Sequence, residues 1–291
     1  MFDLLLQLLG LGLLLGGVSW GYEQWIRPHT HLSLAGRGLL LLVILTGMGG
    51  LIGSPFWWLD EPRSFSWDLP PLAGRMLASA GWAFMVASWL ALKRPTYGRI
   101  RLLLLLLFIY LAPLVVAMFV FHLDRFDFAA PITYAFIIIA GGMSVTTVGY
   151  LIWQPKLLVD EPPVVPAPPL TRYWLTAVAL LTTLWGIALC ATDAGPWAWV
   201  WVWPGDWLTS QLIGVMLLAL GVGAWYGQKA ADTAVVMLAM LTTYGVGIAV
   251  ASLWHGLVGK PIPVSYLIAF SVLALGSAIV YKQSTISPQP K

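Results

Sequence analysis

The sequence predicts an all-α fold: a polytopic transmembrane helical bundle of about nine spans. Three observations carry that expectation. Apolar residues fill 59% of the 291 positions and charged residues only 9%, against about 25% charged in a soluble domain. Mean hydropathy is +0.85. Leu102 to Phe121 runs without a charge, and at about 1.5 Å per residue a helix of that length crosses the ~30 Å hydrocarbon layer. A chain so poor in charge cannot coat a globule with polar surface, so its principal partner is the lipid bilayer, not nucleic acid.

The spans are expected near 4–22, 35–53, 70–92, 101–122, 132–153, 173–192, 208–226, 233–255 and 263–281, each with about the 17–25 residues that spanning requires. The first has the continuous apolar core of a secretion signal. Its head is acidic (Asp3), no basic stretch precedes it and no A-x-A-like site follows, so it is expected as a mature helix.

Charge assigns the orientation. Eleven basic residues (Arg27, Arg37, Lys93, Arg94, Arg99, Arg101, Lys156, Arg172, Lys229, Lys282 and Lys291) fall at one end of these spans, and four (Arg63, Arg75, Arg125 and Lys260) at the other. Basic residues resist translocation and mark the cytoplasmic face. The N-terminus is therefore expected outside and the C-terminus inside, in a bacterial plasma (inner) membrane.

Self-similarity suggests duplication. An aromatic precedes each of His122 and His255, a Pro follows (Pro131, Pro263), and a Tyr stands three residues later (Tyr134, Tyr266), at offsets of 133, 132 and 132. Arg37 and Arg172 each enter the helix before a Trp-rich loop. Two parallel four-helix repeats follow from this, at 35–153 and 172–282. An N-terminal helix and inner loop (1–34) precede them, and a tail (283–291) follows. Four spans per unit is even, so both enter the membrane in the same sense. The intervening 154–171, with Glu161-Pro162-Pro163 and Pro166-Ala167-Pro168-Pro169, favours polyproline II and is expected as a semi-rigid cytoplasmic linker.

The outer loops are tryptophan-rich: Trp57, Trp58 and Trp67 in the first unit, Trp197, Trp199, Trp201, Trp203 and Trp207 in the second. Trp concentrates where its ring lies in apolar surroundings and its N–H reaches headgroups or water. In an extended segment Trp197, Trp199, Trp201 and Trp203 would share one face. Pro204-Gly205 would then turn the chain into the seventh span, with Asp206 as its N-cap. These eight indoles are the expected interfacial or partner-contact residues.

The stretch Trp67-Asp68-Leu69-Pro70-Pro71-Leu72-Ala73-Gly74-Arg75 resembles a Trp-x-Leu-Thr/Pro-Pro-Leu-x-x-Arg signature of uncharacterised multi-pass bacterial membrane proteins. That resemblance implies a bacterial membrane location and no particular chemistry. Pro70-Pro71 suits a helix start, and Arg75, one turn in, is placed to meet Asp68 or a headgroup phosphate.

Motifs for catalysis are missing: there is no G-x-S-x-G, H-E-x-x-H, C-x-x-C or phosphate-binding Gly loop with Lys. The single cysteine, Cys190, is expected as a small apolar residue. His29 and His31 form an H-x-H without a third ligand, so no metal site is expected. His122 and His255 should end helices at matching depth on the outer face. With Tyr134 and Tyr266 they are the candidate ligand or cofactor site. Two His from separate helices are how a b-type haem is held, and one suffices for a chlorophyll magnesium, although no cofactor is the first expectation. No charge lies near the middle of any span, as ion-coupled transport would require, and glycines that permit close helix contact abound. The leading expectation is a non-enzymatic accessory or scaffold subunit of a larger membrane complex, partnered by other membrane subunits. The alternatives are a binder or facilitator of an apolar or amphipathic small molecule in a cleft between the repeats, and a His-ligated haem or pigment carrier.

Overall fold

Each expected span is a helix in the computed structural model, which describes residues 2–61, 64–65, 67, 69–202 and 206–286. The order is α1 (Phe2–Trp25), α2 (Leu34–Trp58), α3 (Pro71–Lys93), α4 (Tyr97–Phe121), a short 3-10 turn (Leu123–Arg125), α5 (Pro131–Ile152), α6 (Pro169–Ala191), α7 (Trp207–Gly227), α8 (Ala231–Leu257) and α9 (Val264–Ile286). Helices α2 to α9 are long and apolar enough to cross a membrane, eight spans among the described residues.

Local chemistry sets the helix ends. Ser33 accepts a bond from the Gly36 N–H at 3.1 Å to start α2. Thr96 does the same for Arg99 N–H at 3.4 Å to start α4, and Asp206 for Thr209 N–H at 3.2 Å to start α7. Helices α3 and α6 open on Pro71 and Pro169, whose fixed φ suits a first turn. At the far end of α2 the Glu61 N–H reaches Phe56 O and the Asp60 N–H reaches Trp57 O, a Schellman closure. It holds Asp60 at φ +59°, the left-handed conformation usually given to Gly.

Glycine brings the helices together. Gly50 of α2 lies against Gly81 of α3 beside Ser54, and Gly186 of α6 lies against Gly214 of α7 beside Cys190. Such small residues let helix backbones approach where no hydrophobic force separates protein from lipid. Further pairings are α4 with α5, α8 with α9, and, across the seam between the halves, α3 with α8 and α4 with α7. Leu102, Leu103, Leu106, Met237, Leu241 and Tyr244 are wholly buried and fill the interior. At the edge stands α5, with 17% of its apolar window buried against 83% for α7.

The end of the bundle that carries most of the basic residues is tied by polar contacts. Asp232 of α8 accepts from Thr96 Oγ1 at 2.5 Å and from Arg99 Nε at 2.7 Å. The Pro-rich connection is laid across this end: Leu157 O bonds His31 Nε2 at 3.2 Å, Val165 O accepts from Ala231 N at 2.8 Å, and the Glu161 carboxylate accepts from Tyr97 N at 3.1 Å.

Candidate functional site

The opposite, Trp-rich end holds every candidate residue, and local sequence decides where each points. Helix α2 does not stop near 53. It runs through Pro55 to Trp58, so Trp57 and Trp58 are helical and not loop residues. Trp57 stacks on Phe65 at 5.9 Å and Trp58 meets Trp82 at 5.2 Å. Trp67 is 9% exposed, packed edge-on against Phe126 and Phe136. Its Nε1 has no acceptor among the described residues, and a cavity of about 40 Å³ lies against it, bounded also by Tyr110 and Leu114.

The second Trp loop is not extended. Val200 N and Trp201 N both bond Trp197 O, at 2.9 and 3.3 Å, which closes a turn and divides the indoles. Trp197 and Trp199 stack on each other at 5.7 Å and stay 56% and 55% exposed. Trp201 turns inward to 8% exposure and donates Nε1–H to Thr192 O at 2.8 Å. Burying an indole is favourable once its N–H is satisfied, and a one-faced strand would have left Trp201 in the interface. Trp203 and the Pro204-Gly205 turn lie outside the described residues. Trp207 opens α7 and donates to Cys190 O at 3.1 Å.

His122 ends α4 at 7% exposure, its Nε2 2.8 Å from Gln211 Oε1 of α7 and its ring edge-on to Trp207 at 5.6 Å. His255 lies near the end of α8, half-buried, with a buried Nδ1 that has no partner among the described residues. No ring contact joins the two imidazoles among the described residues. Their neighbours differ: Gln211 and Trp207 stand at His122, and neither bonds or stacks on His255 among the described residues.

The tyrosines part as well. Tyr266 is 0% exposed and donates its hydroxyl to Val200 O at 3.1 Å. Tyr134 is 52% exposed against Phe128. The reason is one residue of register: Pro131 is the first residue of α5, whereas Pro263 precedes α9. Buried Thr133, not Tyr134, therefore stands at the helical position of Tyr266.

Buried side chains of α3, α4, α7 and α8 line the seam between the halves. The larger groove, about 590 Å³, runs instead between α1 and α2, walled by Leu13, Trp20, Met48, Phe56 and Trp89. Sequence reasoning missed Gln211 and Asp232, since a lone Gln in an apolar run or an Asp at a helix start signals no partner. The contact of Arg75 with Asp68 lies outside the described residues.

Taken together, eight long apolar helices, glycine-mediated contacts and aromatic residues gathered at one end define a multi-pass α-helical membrane protein. No family model, curated protein or solved structure matches the chain.

Proposed function

We propose that this protein is a non-enzymatic accessory or scaffold subunit of a larger complex in the bacterial inner membrane. The observation that carries this reading is the outer face of α5. A Cβ added at Gly141, Gly142 or Gly149 meets nothing within 4 Å, whereas Gly50, Gly186 and Gly245 abut the backbone of neighbouring helices. Ile138 and Val145, on the same stripe, are 71% and 75% exposed. Gly50, Gly186 and Gly245 serve close helix contact within the chain, and by the same chemistry an open glycine stripe with flanking β-branched residues suits a helix of another subunit. Gly142→Leu is expected to leave the melting midpoint in detergent within about 2 °C and to abolish recovery of the partner with a tagged chain. If the tagged native chain is recovered alone under mild extraction, or the partner is retained by the variant, the reading fails.

The two four-helix units are read as a parallel duplication. In its support, Gly50 and Ser54 against Gly81 correspond to Gly186 and Cys190 against Gly214, and the α3–α8 contact corresponds to α7–α4. With α1 counted as a ninth span beside the eight of α2 to α9, the positive-inside rule puts the N-terminus outside, the C-terminus inside and the Trp-rich end outward. On a Cys190→Ala background, a cysteine at exposed Pro166 should react with an impermeant maleimide only in inverted vesicles, and one at exposed Ala198 only in intact cells. The reverse pattern overturns the orientation.

A further inference from the structure

Arg75 is a buried cation without an anion among the described residues. It lies one turn into α3 and is 9% exposed. Its Nη1 donates to Pro71 O at a long 3.3 Å, and its Nε is buried with no acceptor among the described residues. No described carboxylate is within ion-pairing distance of it. Asp60 comes within 3.9 Å of the Cβ position at neighbouring Gly74, yet makes no ion pair. The helix register brings a second orphan donor to the same place. Ser79 packs on Gly247 across the antiparallel α3–α8 contact, so one turn further out Arg75 passes Ala251 and the next turn of α8 presents His255. The buried Nδ1 of His255 has no partner among the described residues, and the backbone N–H of exposed Lys260 donates to His255 O at 3.1 Å.

We propose that Arg75, His255 and Lys260 bind a phosphate group at the Trp-rich end of the α3–α8 contact, carried by a phospholipid headgroup or supplied as free phosphate. An uncompensated charge in a low-dielectric interior is strongly unfavourable, and an anion removes the penalty. The guanidinium fork donates to two phosphate oxygens at once, and the imidazole N–H supplies a further donor. Lys260 adds charge from solvent. The site lies level with the tryptophans, at the depth where headgroups sit.

The test is the melting midpoint of the full chain in maltoside micelles and phosphate-free buffer. Phosphatidylglycerol added to the micelles should raise it by about 4 °C. If inorganic phosphate alone gives the same rise, free phosphate is the ligand; if only the lipid does, the headgroup is. In either case Arg75→Gln and His255→Gln should abolish the rise and Lys260→Gln should shrink it. Without ligand, Arg75→Met should be at least as stable as the native chain, because it removes an unpaired buried charge. Should Arg75→Gln fail to fold, His255→Gln and Lys260→Gln decide: a full rise in both overturns the proposal. No rise in the native chain with either ligand also overturns it. So does an Asp68→Asn variant as unstable as Arg75→Gln whose double mutant is no worse, since the guanidinium would then be paired within the chain.

Discussion

Gly50→Ala is expected to destabilise the protein by about 3 kcal/mol, at the upper end of what overpacking costs. The added Cβ would stand 2.1 Å from Gly81 O and 2.9 Å from its carbonyl carbon. Both atoms belong to the α3 backbone, so no side-chain rotation relieves the clash and α2 must move away from α3 as a body. Gly186→Ala meets Gly214 O at 2.8 Å and Leu218 N at 3.0 Å. That is a milder intrusion, and about 1–2 kcal/mol is expected. Gly142→Ala meets nothing within 4 Å and should be neutral or stabilising by up to about 1 kcal/mol through helix propensity. Thermal unfolding of the three variants in one detergent should give this order. Equal midpoints for Gly50→Ala and Gly142→Ala would show that the α2–α3 contact does not depend on backbone approach.

The helices were legible because apolar runs of spanning length admit one solution when every backbone group must bond within its own segment. Their ends were nearly as legible: Asp206 caps α7 and Pro71 opens α3 where the sequence placed those signals. Helix α2 runs past the expected end at 53, through Pro55, because a proline is tolerated inside an apolar helix. The candidate site was less legible. Alternation of Trp with small residues implied a strand, but periodicity carries no information about a carbonyl nine residues earlier, and Thr192 O is what draws Trp201 inward. The Pro-to-Tyr spacing is identical in both halves, yet a one-residue difference in where α5 and α9 begin buries Tyr266 and exposes Tyr134. A helix turns by about 100° per residue, so a slip of that size moves a side chain to another face. His122 and His255 stand out by their matched positions, but the polar partner of His122, Gln211, lies on another helix and carries no local signal.

Asp232→Asn is expected to weaken the contact between the halves by about 2 kcal/mol, and Asp232→Ala by about 3 kcal/mol. Asp232 stands in the first turn of α8, where a carboxylate is favoured by the helix N-terminus. It also accepts from Thr96 and Arg99 at the start of α4, which belongs to the other half of the chain. The Arg99 Nη2 lies 2.7 Å from Asp232 Oδ1, with its side chain 11% exposed and that of Asp232 27% exposed. A pair this sheltered is worth more than a surface ion pair, whose contribution is about 0–1 kcal/mol. Removing the anion also strands a guanidinium whose remaining protein bond is to Leu90 O at 2.7 Å. Arg99→Lys should cost nearly as much as Arg99→Gln, because lysine keeps the charge but cannot bond Asp232 and Leu90 O together from one planar fork. The double variant Arg99→Gln, Asp232→Asn should recover about 1 kcal/mol or more relative to the sum of the single losses. Arg94, 4.0 Å from Asp232 and 55% exposed, should matter little when changed to Gln. Strict additivity of Arg99→Gln and Asp232→Asn in thermal unfolding would mean that the halves are held by apolar contact alone and that this cluster is a solvated cap.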